Sequence, residues 1–209
     1  MRQYRLPIIV PLVSFVLAIF VFWFPTFRYG SNTVATILLY FAIPPLFLWS
    51  LGAVGVAVIR LFNREKRQRA LLLLVMALVT FVAIPLGLVA GYCLRMQAFH
   101  RLAYRSASLV DAIKKFEIQR GKPPDTLADL VPAFFPRVPS TGMGGYPEYN
   151  YFTGSAAEEY GRNRWALDVY AFGPGLKWDR FLYFPDQAYP ETGFSGRLER
   201  IGDWAYVHE

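Results

Sequence analysis

The sequence predicts an α+β membrane protein, with three transmembrane helices and a small antiparallel β-sheet packed against a continuation of the third. Three observations carry this prediction. Leu6–Phe24, Tyr29–Ile59 and Ala70–Leu94 are uncharged runs of 19, 31 and 25 residues. Beyond Leu94 the pattern changes from continuously apolar to amphipathic. The last sixty residues then alternate aromatic or β-branched stretches with Gly/Pro-rich connections, as strands and turns do. The chain divides accordingly into a transmembrane region, residues 1–94 (helices near 6–24, 31–59 and 70–94), and a globular domain, residues 95–209.

A helix rises ~1.5 Å per residue, so about 20 apolar residues cross a hydrocarbon core ~30 Å thick. The three runs meet or nearly meet that length. None contains Asp, Glu, Lys, Arg or His, whose burial in hydrocarbon is costly. Leu6–Phe24 does not read as a cleaved signal peptide, because Phe22, Trp23, Phe24 and Pro25 stand where small residues should be. Run two is longer than one span requires. Pro44-Pro45 in its middle removes backbone donors and should bend it, accommodating the excess length. In run three, Gly87 and Gly91 form a GxxxG spacing. It serves close packing within one chain as well as self-association of two.

The net charge of +7 does not indicate a nucleic-acid partner. Residues 1–94 hold eight Lys/Arg and one acid, Glu65, which accounts for all of it; residues 95–209 hold 14 of each sign. A nucleic-acid binder would place its excess on the soluble part. Here the cations flank membrane helices and set topology. Arg2 and Arg5 precede helix one, and Arg60, Arg64, Lys66, Arg67 and Arg69 lie between helices two and three. Counting Arg28, Arg95, Arg101 and Arg105 on the other side gives 7 against 4, which places the N-terminus in the cytoplasm and the globular domain outside.

In the globular part, Phe99, Leu102, Ala103, Leu109, Val110, Ile113 and Phe116 recur at helical spacing, and Arg101, Arg105, Asp111, Lys114, Lys115 and Glu117 take other positions. No breaker separates Leu94 from Phe99, so helix three should continue as one helix of about 50 residues, ending at Gly121 and Pro123-Pro124. Thr126-Leu127-Ala128-Asp129 reads as a capping box opening a short second helix. Strands are expected over Glu148–Thr153, Trp165–Phe172, Arg180–Phe184 and Asp203–His208, with turns at Gly173-Pro174-Gly175 and across Pro185–Gly196.

The segment LVDAIKKFEIQRGKPPDTLADLVP, Leu109 to Pro132, resembles type IV pilins and the pseudopilins of type II secretion. Their amphipathic helix ends in an aromatic residue, a glycine, a proline and two leucines, matched here by Phe116, Gly121, Pro124, Leu127 and Leu130. Pro139, Gly142 and Tyr149-Asn150-Tyr151 are similar to the loop entering the first strand. The resemblance covers residues ~70–153. It implies a long helix, half in membrane, packed on an antiparallel sheet. The departures bear on function. Two additional helices lie upstream, and no leader-type cleavage junction precedes Ala70, so excision and polymerisation like a processed pilin are not expected. The major pseudopilin's calcium loop has no counterpart, since Asp179 and Asp186 are too scattered to form it.

No catalytic constellation stands out. His100 and His208 are far apart, no Cys pair or HxxxH spacing is present, and neither a GxSxG elbow nor a phosphate-binding loop occurs. No metal or cofactor is therefore expected. Cys93 reads as a small apolar residue of helix three. Asp168 should share a strand face with Ala166 and Tyr170 as a solvated or paired carboxylate, and Glu158-Glu159 reads as a solvent-facing turn. Tyr146, Tyr149, Tyr151, Tyr160, Tyr170, Trp178, Tyr183, Tyr189, Trp204 and Tyr206 are dense for so small a domain. They serve either a core or a recognition face. On the second reading the candidate partner surface is Tyr149, Tyr151, Tyr170 and Tyr183. The last strand puts Trp204 and Tyr206 on one face and Ala205 and Val207 on the other, and the sequence does not say which is inside. The expected role is display of the pilin-like domain for protein contact in a bacterial envelope, with the bilayer and an envelope protein as partners. The alternative is a membrane-anchored binder or enzyme for a small ligand at the Tyr-rich sheet. A transporter is disfavoured because the spans carry no ionisable group.

Overall fold

The computed structural model describes residues 6–158, 163–171, 179–189 and 196–208, with side chains from Ile9 onward. The expected turn at Gly173-Pro174-Gly175, together with Glu159, Tyr160, Phe172 and Trp178, lies outside the described residues. The protein is α+β, and three of its helices are long and apolar enough to cross a membrane. It forms two compact units: Met1–Thr26 with Gly30–Arg95, and Phe27–Tyr29 with Met96–Glu209.

In the first unit, α1 spans Leu6–Trp23. The second run is built from α2 (Asn32–Ile37), a π-turn over Leu38–Ala42, and α3 (Ile43–Leu61). The π-turn is the local answer to Pro44-Pro45. A proline ring collides with the carbonyl four residues back, and a wider turn there relieves the collision. The chain then enters α4 (Arg67–Arg105). Large apolar side chains such as Phe41, Leu48, Ile59 and Val89 stay exposed, as they would on helices suited to a lipid surrounding. The smaller interior is Ala18, Val21, Ile43 and Ile84, bordered by Phe22, Leu46 and Phe47, with Phe47 stacked on Phe81 at 4.8 Å. Ser14, Ser50 and Thr80 satisfy their hydroxyls on carbonyls of the preceding turn, donating to Val10, Phe47 and Met76 at 2.8, 2.6 and 2.9 Å.

The GxxxG glycines are used within the chain. A Cβ at Gly87 would stand 2.6 Å from the Phe15 carbonyl oxygen, and one at Gly91 would stand 2.5 Å from that of Ile19. Helix α1 therefore fills the groove that the two glycines open. Gly87→Val is expected to cost roughly 1–3 kcal/mol through overpacking. Gly52→Val, where a Cβ meets nothing within 4 Å, should leave thermal stability in detergent nearly unchanged. Equal losses for the two variants would refute the packing role.

In the second unit, the end of α4 and α5 (Ala107–Arg120) supply the amphipathic face. Ser106 interrupts the helix for one residue, yet its amide donates to Leu102 at 2.9 Å and its carbonyl accepts from Val110 at 3.0 Å. The i to i−4 ladder thus passes through. Phe99, Leu102, Leu109, Val110 and Ile113 are buried as their spacing predicts, whereas Ala103 and Phe116 are half-buried. Gly121 closes α5 with φ of 72°, its amide donating to Glu117 at 2.8 Å. The capping box at Thr126 is present, with the Thr126 amide donating to Asp129 at 2.9 Å. It opens a single 3₁₀ turn, Leu127–Leu130, because Pro132 follows too closely for a longer helix.

The sheet is antiparallel with five strands, β1 (Asn150–Thr153), β2 (Trp165–Tyr170), β3 (Arg180–Tyr183), β4 (Arg197–Ile201) and β5 (Trp204–His208), in the order β1-β2-β3-β5-β4. A four-residue helix, α6 (Ser155–Glu158), follows β1 and places Glu158 in solvent. Strand β4 is not among those expected from the sequence, because Arg197, Glu199 and Arg200 mask its apolar positions. Those charges suit an edge strand, where they discourage pairing with another chain. One local signal was present: Gly202-Asp203, with Gly202 at φ 60°, forms the two-residue turn joining β4 to β5.

Both faces of the sheet are buried, which resolves the ambiguity at β5. The register puts Tyr151, Trp165, Leu167, Val169, Phe181, Tyr183, Trp204 and Tyr206 on one face. Phe99 lies on that face, with ring centroids 5.1 Å from both Phe181 and Tyr206. The other face gathers Ala166, Leu182, Phe184 and Val207, bordered by Phe152 and Tyr189.

Candidate functional site

The four candidate tyrosines do not form one face. Strand alternation and register send Tyr151 and Tyr183 to the helix side of the sheet and Tyr170 to the opposite side. Tyr183 is 1% exposed and belongs to the core, its ring stacked on Trp165 at 5.6 Å. It is therefore withdrawn from any partner surface. The Lys114 ammonium lies 5.7 Å from the centre of its ring. The nearby Tyr183 hydroxyl is the main reason the Lys114 pKa is raised, opposed by partial burial. Tyr170 is 44% exposed, with the Arg180 guanidinium 5.3 Å from its ring centre.

Tyr149 and Tyr151 are half-buried and line an open cleft of about 480 Å³. The rest of its wall comes from Asp125, Thr126 and Leu127 at the 3₁₀ turn, and from Val138–Ser140 and Pro147-Glu148 in the connecting loop. That loop is held in place by Thr141. Its amide donates to the Pro147 carbonyl at 3.1 Å, its Oγ1 accepts from the Met143 amide at 3.1 Å, and its hydroxyl bonds the Tyr146 carbonyl. A second recess of about 200 Å³, lined by Gly145–Glu148, Asn150 and Tyr170, shares Pro147 and Glu148 with the first. Three of the four candidate tyrosines thus border two recesses on either side of one exposed dipeptide. Sequence alone could not assemble this site, because it depends on the path of a loop without periodicity.

The tyrosine hydroxyls of the cleft are spent internally. Ser106 donates its single hydroxyl hydrogen to the Leu102 carbonyl at 2.7 Å, so Tyr149 is the donor in the 2.8 Å bond between Tyr149 and Ser106. Tyr151 donates to the Pro124 carbonyl at 3.0 Å. Asp125 is bridged to Lys122 at 3.1 Å in solvent. The cleft therefore presents aromatic rings and prolines beside the polar side chains of Asp125, Thr126, Ser140 and the exposed Glu148, and its lining includes no histidine, cysteine or lysine. Among the described residues no three His, Cys, Asp or Glu side chains converge as metal ligands.

Burial raises the pKa of Tyr149, Tyr151 and Tyr189 above the ordinary tyrosine value of about 10. A folded pKa above the unfolded one contributes stability that is complete below about pH 10 and is lost as pH rises toward the folded value. The domain is accordingly expected to weaken in alkali. Tyr151→Phe should flatten that loss while costing about 1 kcal/mol at neutral pH for the hydrogen bond to Pro124. Thermal melts across the alkaline range check it, and an unchanged slope in the variant would contradict the assignment.

Asp168 lies, as expected, on a face with Ala166 and Tyr170. Of the two states expected it takes the paired one: it is fully buried and paired with Arg180, because that second sheet face is closed as well. Tyr206 donates to the buried Asp179 at 2.7 Å, and the Trp165 indole donates to Glu117 at 3.3 Å. The aromatic density thus serves mainly the core, with polar tips satisfied inside it. No family model, curated protein or solved structure matches this chain.

Proposed function

We propose that this protein is an integral protein of a bacterial cytoplasmic membrane that displays a pilin-like domain for contact with another envelope protein, as part of a secretion or pilus-like assembly. The N-terminus faces the cytoplasm and the domain lies outside it, on the strength of the cation distribution around the spans. The order of elements, an amphipathic helix before an antiparallel sheet, supports the pilin-like reading, as do Phe116, Gly121, Pro124, Leu127 and Leu130. The observation that carries the contact role is the cleft around Pro147-Glu148, where rings and prolines are presented while the Tyr149 and Tyr151 hydroxyl hydrogens are committed within the fold. Half-buried aromatic rings beside proline in an open cleft suit a protein partner.

A photo-crosslinking residue in place of Glu148, in cells, is expected to capture a discrete envelope protein. Capture lost on Tyr149→Ala with the fold retained would support the surface. No adduct at Glu148 or at neighbouring Pro147 would overturn the contact role. Cysteine labelling at the exposed Ser155 tests the orientation separately. Protection from an impermeant reagent in intact cells, with labelling after lysis, would reverse it. The cleft volume of about 480 Å³ also falls in the range of small-ligand sites and favours the second reading, a membrane-anchored ligand binder. A small molecule that co-purifies and is lost on Tyr149→Ala would favour that reading.

A further inference from the structure

We propose that the loop between α3 and α4 is a binding surface for anionic phospholipid headgroups, beyond its part in setting orientation. Arg60 lies in the last turn of α3, Arg64 and Lys66 lie in the 3₁₀ turn Arg64–Lys66, and Arg67 and Arg69 open α4. All five side chains are exposed, and none enters an ion pair among the described residues. The only acid of the segment is Glu65, so four positive charges are uncompensated over ten residues. The first turn of α4 contains no acidic residue, leaving Arg67 and Arg69 unneutralised there.

The position of the segment selects the occupant. It joins two helices that are each long and apolar enough to span, so its cations stand at headgroup level. Phe62 lies among them and is 89% exposed, an apolar ring that gains by entering the headgroup boundary while Arg60 and Arg64 remain at its surface. Clustered cations beside a span attract lipid phosphates, each contributing to local accumulation of anionic lipid. Phosphatidylglycerol-type headgroups meet both demands, whereas a free phosphate ion would not use Phe62.

The test reconstitutes the full chain into nanodiscs of phosphatidylcholine with a minor fraction of phosphatidylglycerol. Both leaflets have the same composition, so the result does not depend on orientation. Lipids retained on mild extraction are counted by native mass spectrometry. Enrichment of phosphatidylglycerol by about threefold over the bulk ratio is expected. It should fall to the bulk ratio in a variant carrying R60Q, R64Q, K66Q, R67Q and R69Q, and persist in a control carrying R197Q and R200Q. In the unaltered protein, raising salt from about 0.1 M to about 1 M shortens screening from about 10 Å to about 3 Å and should reduce the enrichment. Enrichment that survives the five substitutions or ignores salt would overturn the proposal. So would its displacement by inorganic phosphate beyond the effect of chloride at equal ionic strength.

Discussion

Phe99→Ala is expected to destabilise the second unit by about 3–5 kcal/mol, the range for deleting a buried aromatic side chain. Phe99 is fully buried, with ring contacts to Tyr146 at 5.6 Å and to Phe181 and Tyr206 at 5.1 Å. Phe181 is in turn stacked on Trp204 at 4.7 Å, and Trp204 lies 5.4 Å from Tyr183. Removing the ring opens a cavity at the centre of this chain of aromatics, which strands on either side cannot refill without shifting. Near-UV circular dichroism of the detergent-solubilised protein reports the loss directly, because Trp165 and Trp204 sit on the same face. Ile118→Ala, on the same continuous helix but 83% exposed, should stay within about 0.5 kcal/mol. Comparable melting points for the two variants would show that Phe99 does not centre the core.

Arg180→Leu should be similarly costly, about 3–5 kcal/mol, for an electrostatic reason. Asp168 is fully buried and Arg180 half-buried, and the two pair across neighbouring strands. Losing the guanidinium leaves a carboxylate buried in low dielectric without its cation, and also frees the Tyr170 ring from Arg180. The double variant Asp168→Leu with Arg180→Leu removes both charges and should recover much of the loss. A double-mutant cycle by thermal melting is the measurement, with a coupling above about 2 kcal/mol expected. Additive losses would mean that the pair is not a unit.

The helix on the sheet's inner face was legible because burial of one stripe imposes a 3.6-residue period from Phe99 to Ile113. The hydrophobic spans were legible because hydrocarbon tolerates no unpaired charge. Other features were not local. The edge strand Arg197–Ile201 carries charges that obscure its alternation, and its apolar members gain meaning only from pairing with β5. Whether Asp168 is solvated or paired is decided only when Leu182, Phe184 and Tyr189 are seen to close that side of the sheet. Of the four candidate tyrosines, Tyr170 alone is exposed, while Tyr183 is core and Tyr149 and Tyr151 have their hydroxyls committed to Ser106 and Pro124.

By itself, then, the sequence determined three helices long and apolar enough to cross a membrane, the charge around them, and the α+β class, since each follows from composition or period along a short stretch. Tertiary structure alone decided that Gly87 and Gly91 meet α1 of the same chain. It alone showed that both sheet faces are buried, and that Tyr149, Tyr151 and Tyr170 gather around Pro147-Glu148. The physical reason is common to these cases. A period reveals that a residue needs a neighbour, but the neighbour's identity depends on contacts between residues far apart in the chain.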